Sequence, residues 1–193
     1  MKLLFPSVIH ELEVKNFKFV KKELVDFVYK AREEDSYGVQ YSNQGGWQSE
    51  PEYCNFDNIL LSTISKTIKP YFENDVLNMS REIVFDGMWI NINGKGNYNS
   101  SHNHPCCHMA GVFWINTPKN CGTFECQSPH NFNMAGEIMR YTEDFQMRTN
   151  SYPSWFFTPQ EGKILIFPAS LMHKVEANQS DENRISSSFN LLL

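Results

Sequence analysis

The chain contains no apolar run approaching the roughly 18–20 residues of a membrane-spanning helix. Its opening stretch, MKLLFPSVIHELEV, has neither the long apolar core nor the small-residue cleavage site of a signal peptide. Those two absences argue against a membrane class and predict a cytoplasmic protein. Cysteine is sparse and odd in number: Cys54, Cys106, Cys107, Cys121 and Cys126 contain no C-x-x-C pair. A disulfide scaffold and a zinc hairpin are therefore not expected, and reduced thiols are. Basic residues are outnumbered, with 17 Lys and Arg against 22 Asp and Glu, a net charge of −5 and a pI near 5.7. That balance argues against nucleic acid as a partner. There is no internal repeat and no low-complexity tract.

What is present reads as one globular domain over 1–193, long enough to bury a sizeable core. Fifteen Phe, eight Tyr and four Trp make it aromatic-rich, as the interiors of jelly rolls are. Residues 3–14 alternate loosely and predict an opening strand. From Phe17 onward, Phe17, Val20, Leu24, Phe27, Val28 and Ala31 recur at helical spacing with Lys and Glu opposite, predicting an amphipathic helix. Residues 36–53, rich in Gly, Ser, Asn and Gln, predict a loop, in which Trp47 is either a substrate-facing aromatic or an anchor. A second helix is predicted from about Phe56 to Phe72. Near Arg81 the period changes, and strands are predicted over 81–93, 98–104, 109–116, 122–127, 154–158, 163–167, 172–177 and 184–192. Helices followed by short strands predict a mainly β fold with flanking helices. The strand and two helices of 1–75 would buttress a cupin-like jelly roll, or double-stranded β-helix, over 81–193. The interval 129–153 is long, polar and irregular, which predicts a functional or mobile loop.

The informative stretch is WININGKGNYNSSHNHPCCHMAGVFWIN, from Trp89 to Asn116. His102 and His104 form an H-x-H between two apolar runs. Side chains two apart on a strand share a face, so both imidazoles can reach one metal ion if Ser101–Pro105 is extended. Pro105 favours extension of the residue before it. A third ligand has to come from elsewhere, and His173 in GKILIFPASLMHKVEA is the evident donor. Glu125 in GTFECQ is the alternative should a carboxylate take the place of His104, and His108 is a further candidate for the third ligand. Asn91, Asn93 and Tyr98 alternate with apolar neighbours and are placed to hydrogen-bond a co-substrate or to support the histidines.

Three blocks, LFPSVIHEL, HNHP…AGVFWIN and EGKILIFPASLMHKVEAN followed by RISSSFN, resemble the 2-oxoglutarate- and iron(II)-dependent oxygenases. The likeness is to the small branch found in bacteria and phages, with some similarity to prolyl hydroxylases. The resemblance implies a double-stranded β-helix, iron(II) and 2-oxoglutarate as cofactors, dioxygen as a co-substrate, and hydroxylation as the reaction. It implies His102, His104 and His173 as metal ligands, with Arg184 and Ser186 anchoring the distal carboxylate of 2-oxoglutarate. Arg184 and Ser186 share one face of a strand, giving a guanidinium fork and a hydroxyl for one carboxylate. Asn91, Tyr98 and Trp114 would complete the co-substrate pocket, and Phe113, Trp114, Ile166 and Phe167 would keep it dry.

One departure stands out. Oxygenases of this kind usually carry H-x-D or H-x-E, the carboxylate completing a facial triad; here that position is His104. Two rivals follow. One is a cupin-like three-histidine metalloenzyme that does not use 2-oxoglutarate. The other is a non-catalytic metal-binding jelly-roll module. A peptide or protein side chain and a small metabolite are both open as the primary substrate.

Overall fold

The computed structural model describes residues 3, 5–77, 82–130 and 140–193. The expected strand start at Arg81, and residues 131–139 of the long interval, lie outside the described residues. Among the described residues, eleven strands form two antiparallel sheets. The larger has the order β1 (His10–Glu13), β9 (Lys163–Pro168), β6 (Met109–Asn116), β11 (Arg184–Leu192), β4 (Val84–Asn93), β3 (Trp47–Gln48). The smaller has the order β2 (Asn43–Gln44), β5 (Tyr98–His102), β10 (His173–Val175), β7 (Phe124–Gln127), β8 (Ser154–Phe157). This is the mainly β, double-stranded β-helix type of sandwich with flanking helices that the period change predicts.

Strict alternation along the larger sheet builds two separate cores. On β4, β6, β9 and β11, residues such as Ile90, Phe113, Ile166 and Phe189 face the helices α1 (Phe17–Glu34) and α2 (Ile59–Tyr71). There they pack on Leu24, Val28, Leu60, Ile64 and Ile68, the apolar stripes of those helices. Their neighbours in sequence, Ala110, Val112, Trp114, Leu165 and Phe167, turn the other way and meet Phe124 and Cys126 of the smaller sheet and Leu171 of the turn before β10. Phe113 and Ile166 therefore belong to the helix-facing core, which corrects their expected role in drying the pocket. Trp114 and Phe167 lie between the sheets.

α2 starts at an Asn58 cap, whose side chain accepts from Leu61 N, and it carries Pro70 in its last turn. A single π-helical turn follows over Phe72–Val76. Two segments differ from expectation. The stretch 36–53 contains two short strands, Asn43–Gln44 and Trp47–Gln48, joined through Gly45–Gly46, with φ of +77° at Gly45. β2 joins the edge of the smaller sheet and β3 the edge of the larger, so this segment crosses from one sheet to the other. Its Trp47 is buried and donates from Nε1 to Asp35 O at 2.8 Å, which makes it an anchor. In the long interval, Thr142 caps a short helix α3 (Glu143–Thr149) by accepting from Phe145 N at 3.3 Å. Glu143 and Asp144 suit the positive end of that helix, so helices do not end before residue 75 as predicted.

Candidate metal centre and cavity

The registers of the smaller sheet bring the histidines together. His173 on β10 stands directly opposite His102 on β5, with ring centroids 4.3 Å apart. Beyond the end of β5, exposed Asn103 lets the chain continue so that His104 turns back in, its N–H donating to Ala169 O at 2.9 Å. The His104 ring lies 5.1 Å from that of His173 and 5.6 Å from that of Trp89, nearly parallel to both. The nitrogens that these three residues can offer all lie within 4.8 Å of one another. Among the described residues this is the one cluster of His, Cys, Asp or Glu with metal-binding spacing.

Hydrogen bonds fix which nitrogen each ring presents. The Nδ1 of His102 lies 2.7 Å from Ser100 O, and that of His173 lies 2.9 Å from Leu171 O. Backbone carbonyls only accept, so both rings carry the proton on Nδ1 and turn a bare Nε2 inward. His104 Nδ1 is 2.7 Å from Asn190 Oδ1, and its Nε2 is 3.3 Å from His173 Nε2. Two lone pairs facing each other at that distance repel unless a cation lies between them. Two nitrogens each about 2.1 Å from one metal ion, at right angles about it, lie roughly 3 Å apart, so the spacing suits a shared ion. Burial depresses all three imidazoles, and at His104, lowered to about 4, and His173, lowered to about 3, the neighbouring histidines add to the effect. The neutral form that binds metals is thus strongly favoured.

Neither alternative ligand joins the cluster. Glu125 stands opposite Lys174, whereas His173 stands opposite Cys126, so Glu125 projects from the other face of the sheet. There its carboxylate pairs with Lys174 Nζ at 2.8 Å and accepts from Ser154 Oγ at 2.7 Å. Burial opposes its ionisation, but these hydrogen bonds and the Lys174 charge outweigh that and hold the carboxyl below its ordinary value. His108 is exposed, and its Nδ1 accepts from Leu193 N at 2.9 Å, tying down the C-terminal strand.

The histidines form one end of a cavity between the sheets. Its walls include Trp114, Phe167 and Asn91, together with Arg184, Ser186 and Ser188 of β11. Arg184 is 1% exposed, an unusual state for a guanidinium. Its Nη1 donates to Cys121 O and to Glu176 O, the latter at 2.9 Å, but its Nη2 is buried without a partner. Among the described residues no carboxylate pairs with it, and it is the one cation lining the cavity. Burial lowers its pKa to about 10, which leaves it charged at neutral pH. Asn91 Oδ1 and Asn93 Nδ2 are likewise buried and unpaired. The oxygens of a dianion would satisfy the orphaned donors, Arg184 Nη2 and Asn93 Nδ2, so the residues present fit 2-oxoglutarate as well as they fit a metal.

Tyr98 is the expected pocket residue that the structure places elsewhere. It is 43% exposed and absent from the cavity wall, whereas its neighbour Asn99 is buried and lines it. His173 pairs with His102 but Val175 pairs with Asn99, so β5 carries one extra residue between them. That bulge reverses the alternation and brings Asn99 to the face of His102. Asn190 was not singled out from the sequence. The alternation Arg184, Ser186, Ser188, Asn190 along β11 would have reached it, since all four side chains follow period two onto the cavity face.

Comparisons with known proteins agree with this geometry. The family model described as "Putative 2OG-Fe(II) oxygenase" matches residues 87–190, over half the chain, and spans all three histidines and Arg184. No curated protein sequence matches. Among solved structures, the viral collagen prolyl hydroxylase of Paramecium Bursaria Chlorella virus-1, in its 2OG complex, has a TM-score of 0.60 at 12% identity, with 96% of each chain covered. A Pseudomonas putida prolyl-4-hydroxylase has a TM-score of 0.59 at 9% identity, covering 96% of this chain and 92% of its own. The α-ketoglutarate-dependent carbocyclase of nogalamycin biosynthesis has a TM-score of 0.68 at 10% identity, covering 96% and 79%. At such identities these likenesses establish the fold.

Proposed function

The chain belongs to the 2OG-Fe(II) oxygenases, a family of oxidoreductases that use iron(II) and 2-oxoglutarate, and from that premise we propose that it is a three-histidine hydroxylase. His102, His104 and His173 hold the iron through Nε2. Arg184 and Ser186 hold the distal carboxylate of 2-oxoglutarate, and Asn91 serves as a further polar contact. The observation that carries this reading is one cavity with three inward-facing imidazole lone pairs and a buried, unpaired guanidinium nitrogen.

Iron and 2-oxoglutarate together supply the oxidising chemistry, coupling decarboxylation of the oxoacid to succinate with hydroxylation of a substrate by dioxygen. The protein's part is placement. Carbonyls of Ser100 and Leu171 lock two imidazoles in the ligating tautomer. A neutral ligand set leaves the full ionic charge to attract the oxoacid's carboxylate, and the Arg184 fork fixes the opposite end of the molecule. Trp114 and Phe167 exclude water from the space between.

The substrate is a peptide or protein side chain or a small metabolite. An extended chain has support in Trp155. Trp155 on β8 stands opposite Cys126, which stands opposite His173, so the three occupy one transverse row and one face of the smaller sheet. The indole is 49% exposed and lies beside the Tyr152 ring, two strands or about 10 Å from His173. Neutral imidazole in the usual carboxylate position also favours a second reading, a cupin-like enzyme that does not use 2-oxoglutarate. All five cysteines are free, which suits the reducing cytoplasm.

An anaerobic titration of the iron-loaded protein decides between them. 2-Oxoglutarate at millimolar concentration should raise the visible charge-transfer band of an iron–oxoacid chelate. A protein that takes up stoichiometric iron but shows no band favours the cupin-like reading. One that takes up no iron sinks both.

A further inference from the structure

The tautomer of His104, unlike those of its two neighbours, depends on a side chain. His102 and His173 rest on the carbonyls of Ser100 and Leu171, acceptors that no substitution removes. His104 rests on the carboxamide of Asn190 at 2.7 Å. From this we infer that Asn190 is a positioning residue for the metal centre, and that its carboxamide oxygen is what allows a histidine to act at the ligand position usually held by a carboxylate.

The argument begins with the chemistry of the two side chains. A carboxylate at this position needs no tautomer, because any of its lone pairs can bind a metal. An imidazole presents a lone pair from Nε2 only when Nδ1 carries the proton. In water the two tautomers are close in energy, so an imidazole without an acceptor at Nδ1 would spend much of its time with the Nε2 proton aimed at His173 Nε2, 3.3 Å away. Asn190 Oδ1 accepts from Nδ1–H and removes that state.

The backbone holds Asn190 in place. It lies on β11 between Phe189 and Leu191, both fully buried against the helices, so its own side chain must face the cavity. The pairing of β11 with β4 shifts register at this point: Phe189 stands opposite Met88 but Leu191 opposite Phe85, leaving Asp86 and Gly87 across from Asn190. Gly87 has φ of +135°, and a Cβ added there would lie 3.8 Å from Asn190 Nδ2. The carboxamide therefore has its amino group toward the bulge and its oxygen toward His104. Being neutral, Asn190 also orients the ring without drawing it toward imidazolate, and so leaves the ion's charge available to an anionic co-ligand.

This inference rests on His104 being a metal ligand, so the test has one arm that requires no metal. Long-range nitrogen-15 correlation spectra of the metal-free full chain, labelled at histidine, report the tautomer of each ring. His104 should be the Nδ1–H form in the wild type and a mixture of both forms in Asn190→Leu, while His102 and His173 stay unchanged. A wild-type His104 in the Nε2–H form, or one unmoved by the substitution, overturns the inference whatever the protein does with iron.

The second arm is the iron(II) dissociation constant, measured anaerobically by competition with a chromogenic chelator. Asn190→Leu should weaken binding 10- to 100-fold, the usual effect of removing an outer partner of a ligating histidine. Asn190→Asp, which keeps an acceptor oxygen, should stay within a few-fold of wild type and guards against a Leu variant that does not fold. In a His104→Ala background Asn190→Leu should add no further loss, since the group it positions is gone. Equal losses in both backgrounds would mark a merely structural residue and refute the assignment.

Discussion

Replacing Arg184 tests the co-substrate assignment, and the structure sets the size of the effect. The guanidinium is 1% exposed, with Nη1 occupied by the carbonyls of Cys121 and Glu176 and Nη2 unpaired. Arg184→Met removes the charge and the fork but keeps much of the length. A hydrogen bond to a charged group contributes about 1.5–3 kcal/mol, and a site built for a carboxylate loses on the order of 2–4 kcal/mol with its anchor. The 2-oxoglutarate dissociation constant should therefore rise roughly 30- to 1000-fold. Arg184→Lys keeps a charge but not the planar fork, and should fall between the two. Isothermal titration calorimetry on anaerobic, iron-loaded protein measures this directly. The Met variant also leaves the buried Cys121 carbonyl without its donor, at about 1–3 kcal/mol, so its melting temperature should fall while its iron stoichiometry holds. A dissociation constant within threefold of wild type in a folded, iron-loaded Arg184→Met protein would refute the anchor.

Three smaller predictions follow from the same geometry. Glu125→Gln should keep full iron occupancy, because Glu125 engages Lys174 and Ser154 on the opposite face of the sheet; loss of iron would restore it as a ligand. Gly122→Ala should weaken 2-oxoglutarate binding and lower the melting temperature without changing iron affinity. Gly122 has φ of +82°, and a Cβ there would come within 2.6 Å of Glu176 O, the carbonyl that holds Arg184; unchanged binding by calorimetry would contradict this. The metal-free protein should lose stability as pH falls from 6.5 toward 5. His104 and His173 are held near 4 and 3 when folded but return to the ordinary 6.5 when unfolded, so in that window only the unfolded chain takes up their protons. Urea midpoints equal at pH 7.5 and pH 5 would count against it.

Much of this fold is written in local periods. The apolar stripe of α1 and the alternation on β4, β6, β9 and β11 are properties of single segments, and each was legible without knowing its partners. The H-x-H of His102 and His104 is likewise a local pattern, whereas the parts proposed for Arg184 and Ser186 came from the family resemblance and not from period. What escaped depended on partners. The bulge in β5 that exchanges Tyr98 for Asn99 exists only in the pairing of β5 with β10. Glu125 looked like a ligand by proximity in sequence, and only the register opposite Lys174 shows that it faces away. Phe113 and Trp114 are adjacent and equally apolar, so which one faces helix and which faces cavity cannot be read until both faces of the sheet are covered. Asn190 is one of many asparagines until a ring nitrogen appears 2.7 Å from it.

The central claim is that the three imidazoles and Arg184 serve one oxidative reaction. Its most direct test is succinate formation by the iron(II)-loaded full chain in air with 2-oxoglutarate, measured without added primary substrate over several hours. The account predicts slow succinate release in the wild type, falling to background in His173→Ala and sharply reduced in Arg184→Met at subsaturating 2-oxoglutarate. Stoichiometric iron binding with no succinate above the protein-free control, even when 2-oxoglutarate is saturating, would contradict it.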